Sequence, residues 1–172
     1  MLRLLLGIFI VASSFHSSTA LAQVKKVTTF QCLNKDGIYG TVARRGQKVT
    51  APLIVYTQSL GGFTPKERCE IVSDRLTKAV AKSGGKLTDL LLTHGKIQNS
   101  SVICYVDGSF KPCNRETQLF TLRPKDSGNK VLNELATFAQ GKINSPVYQS
   151  GGNVFVKFGE AADKLLDESD GL

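Results

Sequence analysis

Tryptophan is absent from the 172 residues, and histidine nearly so, with only His16 and His94. Cysteine is held to four residues, and no two of them form a CxxC. A zinc site needs cysteines or histidines in close pairs, so this spacing argues against one. No stretch matches the Walker, Rossmann, HExxH or EF-hand patterns, or the GxSxG elbow of serine hydrolases. No cofactor and no metal are therefore expected. Beyond the first residues no run is apolar enough to cross a bilayer, which takes about 20 residues. The remaining composition, 41% hydrophobic and 21% charged over this length, describes one globular domain. It excludes a collagen, a coiled coil, a multi-span membrane protein and a multidomain machine.

What is present begins with an address. Arg3 supplies a positive start, Leu4 to Ala12 an apolar core, and Ala20-Leu21-Ala22 a small-x-small cleavage site before Gln23. That is the pattern of a secretory signal peptide. The alternative, an uncleaved anchor, has too short an apolar run. We expect residues 1–22 to be removed and the mature chain to be exported, to a periplasm, a thylakoid lumen or the extracellular side. No spanning helix is expected once the signal is gone. His94 is then the one histidine left.

Cys32, Cys69, Cys104 and Cys113 all fall in the mature part. An even count in an oxidising compartment reads as two disulfides, for which three pairings exist. Cys104 and Cys113 flank Asp107-Gly108, a hairpin signal that would bring two arms within bridging distance. Cys32 is left with Cys69. The first lies in a predicted strand, Val27 to Leu33, and the second on a predicted helix. Thr64-Pro65-Lys66-Glu67 is a capping box with proline at the first helical position, and Gly84-Gly85 is the stop. The apolar stripe Cys69, Val72, Leu76, Ala79 and Val80 turns Cys69 toward the core.

Tyr39 to Arg44, Leu53 to Gln58, Leu87 to Thr93, Ser101 to Val106 and Gln118 to Leu122 read as strands. A second amphipathic helix is predicted from about Asn129 to Gln140, stopped by Gly141. Val154 to Phe158 reads as a further strand. The Gly-Gly pairs at 61, 84 and 151 read as punctuation. Strands in runs broken by two helices predict an α+β fold with a mainly antiparallel sheet. A single domain is expected over residues 23–159, followed by an acidic tail or short helix over 160–172.

Charge is unevenly spread. Residues 23–159 hold 20 basic and 9 acidic side chains, a net +11, while 160–172 hold 5 acidic and 1 basic, a net −4. So basic a body favours an anionic membrane surface or an acidic extracytoplasmic partner; export disfavours nucleic acid. Arg68, Arg75, Lys78 and Lys82 share one shoulder of the first helix and are the candidate anion-binding residues. The plain alternative is a solvated flank of snorkelling side chains. Arg44-Arg45 with Lys48 forms a second cluster in a predicted turn. The acidic tail is expected to be solvated, or to fold over the basic face and weaken binding.

Catalytic constellations are thin. A Ser–His–acid set would have to use His94 with Asp89 and Ser100 or Ser101, in no recognisable motif. His94 beside Gly95 reads as a turn residue. No catalytic residue is assigned, and a non-enzymatic binding domain is expected. The alternatives are a small extracytoplasmic hydrolase, an inhibitor of one, or a soluble assembly subunit. Asn99-Ser100-Ser101 fits a glycosylation sequon, meaningful in a eukaryotic secretory host.

One ordered set of motifs goes further. Phe30-Gln31-Cys32, Thr41-Val42-Ala43-Arg44, Thr64-Pro65 with Arg68-Cys69, Val102-Ile103-Cys104, Cys113, Leu119 to Pro124 and Ser145-Pro146-Val147-Tyr148 follow one another in the chain. This series resembles the circadian oscillating polypeptide family of cyanobacteria, over about residues 30–150. The resemblance implies an exported, extrinsic membrane protein of unestablished biochemistry, and no catalytic residues to carry over. Two positions depart from the family pattern. Tyr56 stands where the third strand commonly ends in Trp, and Leu76 where an aromatic often follows the helix arginine; both read as packing substitutions.

Overall fold

A computed structural model describes residues 27–106, 112–139, 148–150 and 153–169. The signal segment, the cleavage site before Gln23, the Asp107-Gly108 turn, the Gly141 stop and the Gly151 pair lie outside these residues. The fold is α+β, with three helices and two antiparallel sheets among the described residues.

The first sheet opens with β1 (Thr29–Lys35) and β2 (Ile38–Arg45), a hairpin in register from Thr29↔Arg44 to Lys35↔Ile38. Asp36 and Gly37 both take positive φ at its turn, the backbone a two-residue hairpin requires. β3 (Lys48–Val49) and β4 (Ile54–Tyr56) pair with successive parts of β2. α1 (Pro65–Lys82) lies against this sheet with Cys69, Val72, Leu76, Ala79 and Val80 buried. The capping box is formed as predicted: Thr64 Oγ1 accepts from the Glu67 amide at 3.3 Å, and Glu67 accepts from the Thr64 amide at 2.8 Å.

The second sheet has the order β7-β6-β5-β9-β8. Its strands are β5 (Leu91–Ile97), β6 (Ser100–Val106), β7 (Gln118–Thr121), β8 (Tyr148–Ser150) and β9 (Asn153–Val156). The strand predicted from Leu87 starts later. Leu87–Asp89 is a 3-10 turn, and Leu87 and Leu90 are buried there. His94 is a mid-strand residue opposite Ile103, not a turn residue. α2 (Gly128–Ala139) buries Leu132, Leu135 and Ala136.

α3 (Phe158–Glu168) crosses the expected boundary between body and tail. Phe158, Ala161, Ala162 and Leu166 are buried in the same core as α1 and α2. Phe158 begins this helix rather than ending a strand, and its ring stacks on Phe30 of β1 at 6.1 Å between centroids. α3 thus takes in most of the segment expected as an acidic tail or short helix: Glu160, Asp167 and Glu168 are exposed, while Phe158, Ala161, Ala162 and Leu166 are buried.

Both predicted disulfides are present, Cys32–Cys69 and Cys104–Cys113. The first joins β1 to α1 across 37 residues and the second closes a loop of 9. Loop-closure entropy assigns them about 4 and about 3 kcal/mol respectively. Cys104 pairs in the sheet with Gln118 of β7, so the arms bridged are β6 and the segment leading into β7.

Candidate functional site

α1 stands between the two sheets, and the side of it that is not against β1 and β2 faces β7. A groove of about 370 Å³ runs there. Its floor is Ile71 and Val72 of α1, and its far wall is Leu119, Phe120 and Pro124. The near wall is the turn Leu60 to Phe63. Gly61 and Gly62 sit at φ 61° and 85°, and Leu60 and Phe63 exchange backbone hydrogen bonds of 3.0 and 3.1 Å. That is a type I′ turn, which glycine alone enters without strain at both central positions. Phe63 is held at its end and stays 49% exposed.

Arg68 and Arg75 are the charged residues lining this groove. They lie seven residues apart on α1, about 10 Å along the helix axis. Each is fixed by a backbone carbonyl: Arg68 Nη1 donates to Gln58 O at 2.9 Å, and Arg75 Nη1 donates to Leu119 O at 2.8 Å. The Arg68 guanidinium also lies 5.5 Å from the Tyr56 ring centroid, within cation–π reach. Arg68 and Phe120 line two adjoining depressions as well, of about 340 and 180 Å³. Among the described residues neither Arg68 nor Arg75 has a carboxylate partner.

The four candidate residues therefore separate. Arg68 and Arg75 meet at one groove. Lys78 lies outside it, exposed, and pairs with Asp74 at 2.6 Å. Lys82 is exposed near the end of α1. The second basic cluster is not a turn but the end of β2 and the start of β3. Arg45 pairs with Asp163 and lies 3.8 Å from Asp167, and Lys48 donates to the Asp167 carbonyl at 3.0 Å. The acidic segment thus folds over Arg45 and Lys48, not over the α1 shoulder.

Below the groove Thr41 Oγ1 lies 3.0 Å from both the Tyr56 hydroxyl and the Ser73 hydroxyl, all three buried. Burial pushes the Tyr56 hydroxyl well above its usual range, outweighing the Thr41 hydrogen bond and the Arg68 charge, which lower it. Tyr56 is a neutral packing and hydrogen-bonding group. It and Leu76, the two departures from the family pattern, are both core residues.

His94 Nε2 lies 2.8 Å from Asn129 Oδ1, under the start of α2. A Cβ added to Gly128 would fall 2.5 Å from its ring. Asp89 precedes β5 and Ser100 lines the groove. Among the described residues no group of three or more His, Cys, Asp or Glu is placed to hold a metal ion.

The residues missed by sequence reading are Leu60, Phe63 and Phe120. Gly61-Gly62 between two apolar residues was the available signal, a hairpin turn in miniature.

Fold and groove together define a disulfide-bridged α+β domain with an arginine-flanked apolar cleft. A family model described as circadian oscillating protein COP23 matches residues 29–163, and the chain belongs to that family. No curated protein and no solved structure matches the chain.

Proposed function

We propose that the chain is an exported, non-enzymatic domain that attaches peripherally to an anionic membrane surface. The observation that carries this reading is the flank of α1, where Arg68, Arg75, Lys78 and Lys82 run along the helix from the half-exposed Phe63 at its start. Near an anionic membrane each such cation contributes about 1 kcal/mol, falling off within a Debye length. An aromatic beside them adds an apolar foothold. Support for export comes from the signal-like pattern of residues 1–22 and from four cysteines that all form disulfides. Among the described residues no helix is long and apolar enough to cross a membrane.

Co-sedimentation with phosphatidylglycerol and phosphatidylcholine vesicles across a salt series tests the reading. Binding should require the anionic lipid and fall steeply with salt. Lys78→Ala and Lys82→Ala should each weaken it about fivefold. These two residues are preferred to Arg75, whose replacement would also release the Leu119 carbonyl. Binding indifferent to salt, or none to anionic vesicles at low ionic strength, would turn the charge toward an acidic extracytoplasmic protein. Fractionation of the native host with salt washes separates periplasm, thylakoid lumen and medium.

A further inference from the structure

We propose that the groove between α1 and β7 binds one single-chain carboxylate amphiphile of the fatty-acid type, with its carboxylate on Arg68 and its chain along Ile71, Leu119 and Phe120. The argument begins with charge. Two other arginines meet a carboxylate, Arg45 at Asp163 and Arg123 at Asp126, and Arg44 donates to the Gln31 side-chain oxygen. Among the described residues the two arginines of the groove hydrogen-bond to backbone carbonyls and not to carboxylates, and no acidic residue lines the groove with them. A guanidinium has five N–H donors in a fixed fork matched to a carboxylate. Arg68 is held in place by Gln58 O and the Tyr56 ring, so it is preorganised for an anion.

Shape supplies the rest. A volume of about 370 Å³ falls within the range of small-molecule sites, which are mostly apolar with a few placed polar groups. The walls are mostly aliphatic and aromatic, with Ser100, Gln118 and Thr121 among them, and the Leu60 to Phe63 turn closes one side. Arg75 marks the inner end, where its stem packs along the floor and its head is tied to Leu119 O. The larger adjoining depression includes Glu134, and in the smaller one Arg123 is already paired with Asp126, so the main groove is the one lined by arginines with no acidic residue. This proposal shares Arg68 and Arg75 with surface attachment, which draws in addition on Lys78 and Lys82 outside the groove.

The test is an NMR titration of the isotope-labelled full chain with laurate below its micelle concentration, beside dodecanol and dodecyltrimethylammonium. Laurate should shift amides of the first half of α1, the Leu60 to Phe63 turn and β7. Dodecanol should bind about tenfold more weakly, the effect of losing a charge-assisted hydrogen bond, and the cation more weakly still. Arg68→Gln should bring laurate to the level of dodecanol, Arg68→Lys should recover part of the difference, and Lys82→Ala should leave it unchanged. If Arg68→Gln fails to fold, the comparison of head groups on the unaltered chain decides. Equal affinity for the three head groups, shifts centred away from the groove, or tighter binding there by an acidic apolar peptide would overturn the proposal. Vesicle binding without laurate binding removes only this inference, and laurate binding without vesicle binding removes only surface attachment.

Discussion

At Gly159 a single hydrogen separates a good fit from a collision. An added Cβ would run into the Leu87 carbonyl and come within 2.9 Å of the Leu90 side chain. The obstacle is backbone, which cannot rotate aside, so Gly159→Ala should cost about 3 kcal/mol in thermal or urea unfolding. The Thr41 hydroxyl is a second sensitive point. Thr41→Val would leave the buried Tyr56 and Ser73 hydroxyls without their shared partner, a loss of about 1–3 kcal/mol, and Thr41→Ser should restore most of it. Gly159 did not stand out in the sequence, and Thr41 appeared only as part of the Thr41-Val42-Ala43-Arg44 motif, with no role attached. Glycine before an apparent acidic tail reads as a linker, and threonine in a strand is explained by β propensity alone. Their importance lies in what the chain places beside them, which no local pattern carries.

The elements differ in how much they announced themselves. α1 was readable almost to the residue, because its cap, proline, stripe and glycine stop all act locally. α3 was not. Its buried stripe is largely two alanines, Ala161 and Ala162, between Phe158 and Leu166, and five acids across 160–172 dominate its composition. Removing residues 160–172 would therefore open the core instead of trimming a tail. The truncated chain should lose cooperative unfolding by circular dichroism, whereas Asp163→Asn should only release Arg45. The groove was half legible. Arg68 and Arg75 were found from helical spacing, but Phe63 and Phe120 reach the same place from other elements. The cap of α1 also carries a pH dependence. Hydrogen bonds from the Thr64 backbone and then its side chain hold the Glu67 carboxyl below its usual range. A carboxyl lowered in the folded state adds stability above its unfolded pKa, and that stability is lost as pH falls through the folded one. Acid should thus loosen the start of α1, and the protection of its amides from hydrogen exchange, relative to the unstructured chain at the same pH, should fall below the ordinary carboxylate range. Glu67→Gln, which can still cap, should flatten that response.

For the whole molecule, α1 is the shared layer: Cys32–Cys69 ties it to the first sheet, and the Arg75 bond to Leu119 ties it to the second. Replacing Cys69 by alanine should cost about 2–5 kcal/mol, and reduction of the native protein should approach the same loss. The stacking of Phe158 on Phe30 joins the last helix to the first strand. A chain made from its N-terminus holds Phe30, Leu87 and Leu90 long before it holds the helix that packs on them. Such distant closure makes folding slow to begin and late to finish. Until residue 166 is available the growing polypeptide lacks Phe158, Ala162 and Leu166, and so has no complete interior to collapse around.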